Sequence, residues 1–373
     1  MKPLLSVIYP YRNRDAKRVE RSLNSLCHQE SADRFEVILV DYGSDAGMQE
    51  QIKSMIRKFP SVKYVFNHTL GMPWSRSHAL NTGIKLAAAD YVFTADVDMI
   101  FDKGFSHVSE QLIRTDKAVF FSVGYLPEKF DFNKPIEKKD YQKSASHALG
   151  LALIEKNALE KIRGYDEYYC FWGIEDNDIH HRLQASGCRC SYFESDVLLY
   201  HQWHQPANVD LPEGWRTCMG EYFESNKSNI IRNKNQEWGK ILTAHERKAW
   251  YALENKISET DKISSRKIFF EWQLKKKLEE ATSGQTIAGE FSDVFSEKYL
   301  RAKPGRLAAM LKNTFNLFHL PLDVSTAYKD QFMTTRQARD SFFYFIRFNL
   351  HQIADYAFRF NEKGRLEYAF TKI

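Results

Sequence analysis

The chain has 373 residues, of which 43% are hydrophobic and 14% aromatic, so it can bury a large core, and its length suggests about two domains. This composition excludes a disordered protein. The formal net charge of +5, from 53 basic and 48 acidic residues, is too small to indicate a nucleic-acid-binding protein.

The N-terminal segment MKPLLSVIYPYRNRD has too few consecutive apolar residues for a signal peptide and predicts a strand instead. No run in the sequence approaches the roughly 18 to 20 apolar residues that span a bilayer. We therefore expect a cytoplasmic protein, with peripheral association at the inner face of the membrane as the alternative. The five cysteines contain no C-x-x-C pair and indicate reduced thiols.

Strands and helices alternate along the first hundred residues. LLSVIYP and FEVILVDYGSD predict strands on either side of the helix AKRVERSLNSLCHQ. The helix QEQIKSMIRKF, the strand VKYVFN, the helix SRSHALNTGIKLA and the strand DYVFTADVD continue the pattern. This order predicts an α/β fold with a parallel sheet, in which ligands bind at the carboxyl ends of the strands.

The character of the sequence changes near residue 210. Charged, helix-like segments follow, and the aromatic residues of the tail SFFYFIRFNLHQIADYAFRFNEKGRLEYAF recur at helix-like spacing. We expect a first domain over residues 1–210 and a mainly helical C-terminal region over residues 211–373. Within that region, KISSRKIFFEWQLKKKLEEA predicts either a solvated helix packed on the first domain or a basic amphipathic helix on an anionic membrane.

Charged side chains gather where the predicted strands end. Asp96 and Asp98 follow a buried strand, and two such carboxylates can share a divalent cation whose coordination a nucleotide diphosphate completes. Solvated turn acids are the alternative, because D-x-D is common. Arg12 and Arg14 follow the first strand, where guanidinium groups can bind diphosphate oxygens bidentately. Arg76 supplies another cation near this edge.

Four segments, PYRNRD, PWSRSHALNTGIKLA, ADVDM and FWGIEDNDIHHRL, carry a family resemblance. In their order and spacing the sequence, over about residues 4–205, resembles the beta-1,4-galactosyltransferase family and the related family-two and chondroitin-polymerase-like glycosyltransferases. The resemblance implies a GT-A, Rossmann-like nucleotide-sugar-binding catalytic domain in residues 1–210. The C-terminal region would then contact the acceptor, a membrane or a partner.

The resemblance also implies roles for the donor-binding residues. Asp98 and His204 match the family's metal ligands, and His201 is a departure that adds a third candidate. The implied ion is Mn²⁺, with Mg²⁺ as the alternative. The nucleotide sugar is assigned to one set of residues: Pro10, Tyr11, Arg12, Arg14, Asp41, Trp74, Arg76, Asp96 and Val97.

The segment FWGIEDNDIHHRL holds the implied catalytic residue. Inverting transfer needs a base beside the acceptor hydroxyl and a Lewis acid on the leaving diphosphate, and the family's base matches Asp176. Asp178 is expected to stabilise the start of a helix. Asn177 departs from the family, which has an acidic residue there. The donor or acceptor sugar is assigned to one further set: Gly150, Trp172, Gly173, Glu175 and Asn177.

The implied function is a metal-dependent, inverting glycosyltransferase. It would move a hexose, such as galactose or N-acetylgalactosamine, from a UDP-sugar to a hydroxyl of a saccharide or lipid-linked glycan (glycolipid) in surface polysaccharide or glycan synthesis. One alternative is a retaining GT-A N-acetylgalactosaminyltransferase, although that type commonly carries D-x-H in place of DVD. The other is a non-catalytic sugar- or nucleotide-binding module, which has no physical reason to keep its clustered acids. The sequence indicates no oligomeric state.

Overall fold

In a computed structural model, the described residues are 2–113, 117–171, 173–205, 211–227, 233, 237–255, 261–263, 267–291, 333–362 and 364–373. They form two compact units. The first contains Met1–Thr69 and Pro73–Thr243, and the second contains Leu70–Met72 and Ala244–Ile373.

The first unit has the α/β alternation that the sequence predicts. Its strands are β1 Leu5–Tyr11, β2 Phe35–Asp41, β3 Val62–Phe66, β4 Tyr91–Thr94, β5 Met99–Phe101, β6 Lys117–Phe121, β7 Gly124–Tyr125, β8 Gln142–Lys143, β9 Ala148–Glu155, β10 Arg189–Phe193 and β11 Leu199–His201. Its helices are α1 Ala16–Cys27, α2 Ala46–Ile56, α3 Arg76–Leu86, α4 Phe105–Leu112, α5 Lys156–Lys161, α6 Glu175–Ala185 and α7 Trp215–Asn226.

A seven-stranded sheet with the order β10-β6-β9-β4-β1-β2-β3 forms the centre of this unit. β1 pairs in parallel with β2 on one side and with β4 on the other, while β9 is antiparallel to both β4 and β6. A smaller sheet has the order β5-β11-β7-β8. The carboxyl ends of β1, β2 and β4 therefore share one edge of the central sheet, where α/β proteins bind ligands.

Both faces of the central sheet are covered by hydrophobic cores. β1 is buried along its whole length, and its residues alternate between the two hydrophobic cores: Leu5 and Val7 lie in one and Ile8 in the other. α3 approaches β1 so closely that a Cβ on Gly83 would lie 2.2 Å from Cγ2 of Ile8. Glycine at that position therefore sets how near α3 lies to the sheet.

The boundary expected at residue 210 lies at Thr243 in the structure. The described residues between the two positions pack on the first unit, which the charged composition of the sequence did not indicate. The indole of Trp215 donates to the carbonyl of Cys170 at 3.2 Å, and Trp238 is buried in the core that contains Ile8. The backbone amide of His68 donates to the carbonyl of Leu242 at 2.9 Å.

The second unit contains a sheet, beside its helices, that the sequence pattern did not predict. Its described strands form a four-stranded sheet with the order β12-β13-β15-β14. The strands are β12 Asp261–Ile263, β13 Thr286–Phe291, β14 Ile353–Phe360 and β15 Leu366–Lys372, and the helices are α8 Lys248–Glu254, α9 Lys267–Glu280 and α10 Thr335–Phe348. The aromatic tail thus begins as helix α10 but ends as the antiparallel pair β14 and β15.

The sequence of the tail does not distinguish helix from strand, because aromatic residues suit strands as well as helices. Its helix-like spacing extends only to Phe348, and the following strands bury Tyr368 and Phe370 in the same core as Phe342 of α10. In α9 the apolar residues Phe270 and Leu274 are also buried in this core. These apolar residues of α9 are thus buried within the second unit. Among the described residues, no helix is long and apolar enough to span a bilayer.

Candidate active site

The loops after β1 and β2 are held together by an asparagine that the sequence motifs did not single out. The backbone amide of Asn13 donates to Oγ of Ser44 at 2.9 Å, and its side-chain amide donates to Oδ2 of Asp45 at 2.9 Å. In return, the amide of Asp45 donates to Oδ1 of Asn13 at 2.9 Å. Asn13 has φ of 50°, a conformation that asparagine tolerates better than most residues. These hydrogen bonds therefore fix the conformation of the loop that is predicted to bind the nucleotide.

Several residues assigned to the nucleotide have buried side chains in the structure. Pro10, Tyr11 and Val97 are buried, so their side chains pack inside the protein and support the loops after β1 and β4. The hydroxyl of Tyr11 donates to the carbonyl of Arg14 at 3.0 Å and thereby positions the arginine loop. Arg12 and Arg14 themselves are only half-buried and lie in the loop after β1. A nucleotide contact from the three buried residues would have to come from their backbone.

Asp41 lies at the carboxyl end of β2, as expected, but its carboxylate is fully buried and hydrogen-bonded. Oδ1 accepts from the amide of Ser44 at 2.8 Å, and Oδ2 accepts from the hydroxyl of Tyr64 at 2.7 Å. Burial raises the pKa of Asp41, although these hydrogen bonds oppose the shift. The structure thus gives the side chain a role in holding the strand ends, and its assignment to the nucleotide base stays a prediction.

Trp74 belongs to an aromatic group beside α3. Its ring packs edge to face against Tyr42 with centroids 5.6 Å apart, and the hydroxyl of Tyr42 lies 3.1 Å from Nδ1 of His78. The carbonyl of Trp74 accepts a hydrogen bond from the amide of Phe171 at 2.6 Å. This backbone contact joins the start of α3 to the segment that precedes Glu175.

Arg76 connects the D-x-D segment to the predicted base. Its Nε donates to Oδ1 of Asp96 at 2.9 Å, its Nη1 donates to Oδ1 of Asp176 at 2.9 Å, and its Nη2 donates to the carbonyl of Gly150 at 2.8 Å. The guanidinium is buried, which by itself lowers the pKa, but the charges of Asp96 and Asp176 outweigh burial and raise it. Arg76 therefore stays charged and fixes both carboxylates in place.

Gly150 leaves the room that this arrangement needs. A Cβ at this position would lie 2.8 Å from Oδ2 of Asp176 and 3.0 Å from Nη2 of Arg76. Its carbonyl also accepts a hydrogen bond from the hydroxyl of Thr94 at 3.0 Å. The structure thus places Gly150 directly beside the predicted base, where any larger residue would displace Asp176 or Arg76.

The three predicted metal ligands lie together. Potential ligand atoms of Asp98, His201 and His204 are all within 4.8 Å of one another, with Nε2 of His204 3.3 Å from Oδ2 of Asp98 and Nε2 of His201 3.8 Å from Oδ1. Neighbouring ligands of an octahedral ion, each about 2.1 Å from it, are about 3 Å apart. Oδ1 of Asp98 is buried and has no hydrogen-bond partner among the described residues. This donor set fits a divalent cation such as Mn²⁺.

The hydrogen bond made by Nδ1 of His204 leaves its Nε2 available as a metal ligand. A carbonyl only accepts, so the 2.6 Å contact between Nδ1 of His204 and the carbonyl of Gln205 places a proton on Nδ1. Its contact with Asp98 raises the pKa of His204, whereas burial lowers the pKa of His201. Burial opposes ionisation of Asp98, but the contact with His204 and the charge of His201 leave its pKa lowered. The carboxylate is therefore available as an anionic ligand.

The acidic segment begins helix α6 through a constrained turn. Phe171, Gly173 and Ile174 have positive φ angles of 67°, 93° and 78°. For a β-branched residue such as Ile174 this conformation is strained. Trp172 lies outside the described residues. Asn177 is exposed on α6, where an acceptor can reach it.

The three acids of α6 have different environments. Asp178 is buried and pairs with Arg182 through contacts of 2.7 Å from Nε and Nη2 to Oδ2, which is a structural role. Glu175 is buried, and burial together with the neighbouring charge of Asp176 raises its pKa to about 8. Burial also raises the pKa of Asp176, which Arg76 partly offsets, while 32% of the side chain remains exposed. Asp176 is therefore the member that can both reach a substrate and accept a proton.

Comparison with known proteins finds similarity to glycosyltransferases. Residues 6–174 match the family described as Glycosyl transferase family 2. Chondroitin synthase from Escherichia coli is 26% identical over 53% of this chain and 34% of its own length, and chondroitin sulfate synthase 3 from Mus musculus is 24% identical over 50% and 23%. Validoxylamine A glucosyltransferase from Streptomyces hygroscopicus subsp. limoneus is 26% identical over 50% and 49%. The chain thus spans between about a quarter and a half of these relatives.

Among solved structures, the mannosyltransferase PcManGT from Pyrobaculum calidifontis in complex with GDP-Man and Mn²⁺ is similar over 62% of this chain and 65% of its own, at 19% identity and a TM-score of 0.42. Residues 6–174 include most of the central sheet, the D-x-D segment and Arg76. The match of residues 6–174 confirms the predicted family-two resemblance, and the mixed central sheet agrees with the predicted α/β fold.

Proposed function

We propose that this protein is a metal-dependent, inverting glycosyltransferase that moves a hexose from a UDP-sugar to a hydroxyl of a saccharide or lipid-linked glycan. The observation that carries the proposal is the bridge formed by Arg76, which contacts Asp96 and Asp176 at 2.9 Å each. Asp96 is two positions before Asp98, whose carboxylate lies beside both histidines. This bridge supports a donor site and a catalytic base that are linked through one guanidinium group. The relatives named chondroitin synthase favour a role in polysaccharide synthesis.

The roles follow from the environment of each group. Asp176 accepts the proton of the acceptor hydroxyl as its oxygen forms a bond to the anomeric carbon. On the opposite face the bond to the diphosphate breaks, and both electrons leave with the diphosphate oxygen. When bound by Asp98, His201 and His204, a divalent ion supplies Lewis-acid stabilisation to that leaving group. Glu175, with a pKa of about 8, is protonated at neutral pH and can donate a hydrogen bond to a sugar oxygen.

The proposal is tested by incubating the full chain with a panel of UDP-sugars and Mn²⁺ and measuring release of UDP. We expect turnover with at least one galactose- or N-acetylgalactosamine-type donor, and loss of turnover in Asp98→Ala. If the wild-type protein neither binds nor hydrolyses any of these donors, the proposal is wrong. NMR of the product distinguishes the inverting enzyme from a retaining one by its anomeric configuration.

A further inference from the structure

An exposed tyrosine that none of the sequence motifs includes, Tyr192, lies at the same edge of the central sheet as the predicted base. It is the fourth residue of β10, which runs parallel to β6, and it is 43% exposed. β9 runs antiparallel to β6, so the amino end of β9 meets the carboxyl end of β10 at one edge. Gly150, the third residue of β9, lies beside Asp176. Tyr192 and Asp176 therefore share this edge.

The ring of Tyr192 is held in place by three side chains. Its hydroxyl lies 2.9 Å from Nε2 of His180, which is hydrogen-bond distance. Its ring centroid lies 4.8 Å from that of His147 and 5.9 Å from that of Phe120, the buried residue opposite it on β6. An aromatic ring that is already fixed loses little conformational entropy when a ligand packs on it. The exposed part of this ring is therefore suited to binding.

The chain connections limit how far this ring lies from the predicted base. His180 follows Asp176 by four residues on α6, and side chains at this spacing lie on the same face of a helix. His147 precedes Gly150 by three residues, so their Cα atoms are at most about 11 Å apart. Tyr192 packs against both histidines. A short oligosaccharide that reaches Asp176 with one end can therefore contact Tyr192 with the next part of its chain.

The two faces of the central sheet indicate which substrate approaches Tyr192. Val97 and Met99 flank the candidate metal ligand Asp98 and pack in the core on one face. Ile179 of α6 packs in the core on the other face. In an inverting transfer the diphosphate leaves on the side of the metal, and the acceptor arrives on the opposite side of the anomeric carbon, where the base lies. The acceptor is therefore expected on the side of α6, where Tyr192 lies.

We propose that Tyr192 binds the acceptor saccharide by stacking on a sugar ring next to the one that carries the reacting hydroxyl. The C–H groups on one face of a sugar ring pack on an aromatic ring, while the hydroxyl groups at its rim stay in water. His180 and His147 position the tyrosine for this contact. The inference rests on the proposed function and adds an acceptor contact outside the sequence motifs.

An array of defined oligosaccharides tests the inference by binding and not by turnover. The full chain is applied with UDP and Mn²⁺, which fill the donor site but supply no sugar, and the affinity for the strongest glycan is then measured by titration calorimetry. We expect wild type to bind one class of oligosaccharide and Tyr192→Ala to bind it about tenfold more weakly, because the stacking ring is gone. Tyr192→Phe keeps the ring and should stay within about threefold of wild type.

Two controls separate an acceptor contact from a donor or structural contact. Tyr192→Ala should keep its affinity for UDP and for UDP-sugars, with Mn²⁺ present, within about twofold of wild type. Tyr251→Ala removes another exposed tyrosine, from α8 of the second unit, and should leave glycan affinity within about twofold.

Three results would overturn the inference: unchanged glycan affinity in Tyr192→Ala, a loss of UDP-sugar affinity in that variant, or an equal loss of glycan affinity in Tyr192→Phe. A wild type that binds UDP but no glycan on the array overturns it as well. A wild type that binds neither UDP nor any glycan overturns the proposed function itself.

Discussion

The protonation of Glu175 makes the stability of the first unit depend on pH. Its pKa is about 8 in the folded protein because of burial and the neighbouring charge of Asp176, against an ordinary value of 4.5 that applies to the unfolded chain. A raised folded-state pKa means that the unfolded chain loses this proton first as pH rises. The contribution to stability is therefore complete below about pH 4.5 and is lost as the pH rises to about 8.

The magnitude follows from the size of the shift. Each pKa unit corresponds to about 1.4 kcal/mol, so the free energy of unfolding should fall by an amount on the order of 4 kcal/mol across this range. Glu175→Gln stays neutral at every pH and lacks this dependence. The free energy of unfolding of the variant minus that of wild type should therefore rise with pH, by about 1.4 kcal/mol per unit between pH 5 and 8.

The assay is urea unfolding at pH 5.5, 7.0 and 8.5, followed by tryptophan fluorescence. Trp215 and Trp238 are buried in the first unit and report on its unfolding. Taking the difference between variant and wild type removes the pH dependence of all other groups. Glu50→Gln, at an exposed position of α2, is the matched control and should show a constant difference. A constant difference in Glu175→Gln, or one that falls with pH, would refute the reasoning.

Three further substitutions separate catalytic from structural roles. Gly150→Ala places a Cβ 2.8 Å from the predicted base and should lower the rate of sugar transfer at least about tenfold. The control Gly47→Ala, whose Cβ has no atom within 4 Å, should not lower it. Transfer kinetics test this, and the Mn²⁺ affinity of each variant checks that it is folded. Asp178→Asn disrupts a buried ion pair and should lower the free energy of unfolding by about 3 kcal/mol in urea titrations without changing Mn²⁺ affinity. His204→Ala should weaken Mn²⁺ binding at least about tenfold by electron paramagnetic resonance, and unchanged binding would exclude it as a ligand.

The sequence predicts those parts of the site that lie at the ends of regular elements. Asp96 and Asp98 follow β4, and Arg76 begins α3, at the edge of the central sheet where the carboxyl ends of the parallel strands meet. His201 ends β11 of the smaller sheet and lies beside Asp98. The spacing of the motifs was enough for this, since each lies within a few residues of a strong strand or helix pattern.

The remaining features depend on contacts between distant segments. Asp41 binds Tyr64 on the neighbouring strand, and Asn13 binds Ser44, without any local pattern that marks these pairs. Gln202 looks like a spacer between two histidines, and only the folded chain brings it to Arg18. Tertiary packing likewise decides that the second half of the aromatic tail becomes strands.

The central claim is that Asp176 is the base of a metal-dependent sugar transfer, and Asp176→Asn tests it most directly. Asparagine keeps an oxygen that can accept from Arg76 but cannot take a proton at this step. With the donor that wild type uses, product formation by mass spectrometry should fall by about 10² to 10⁴-fold, while UDP binding in the presence of Mn²⁺ stays near the wild-type value. Retention of near wild-type transfer by this variant would contradict the account.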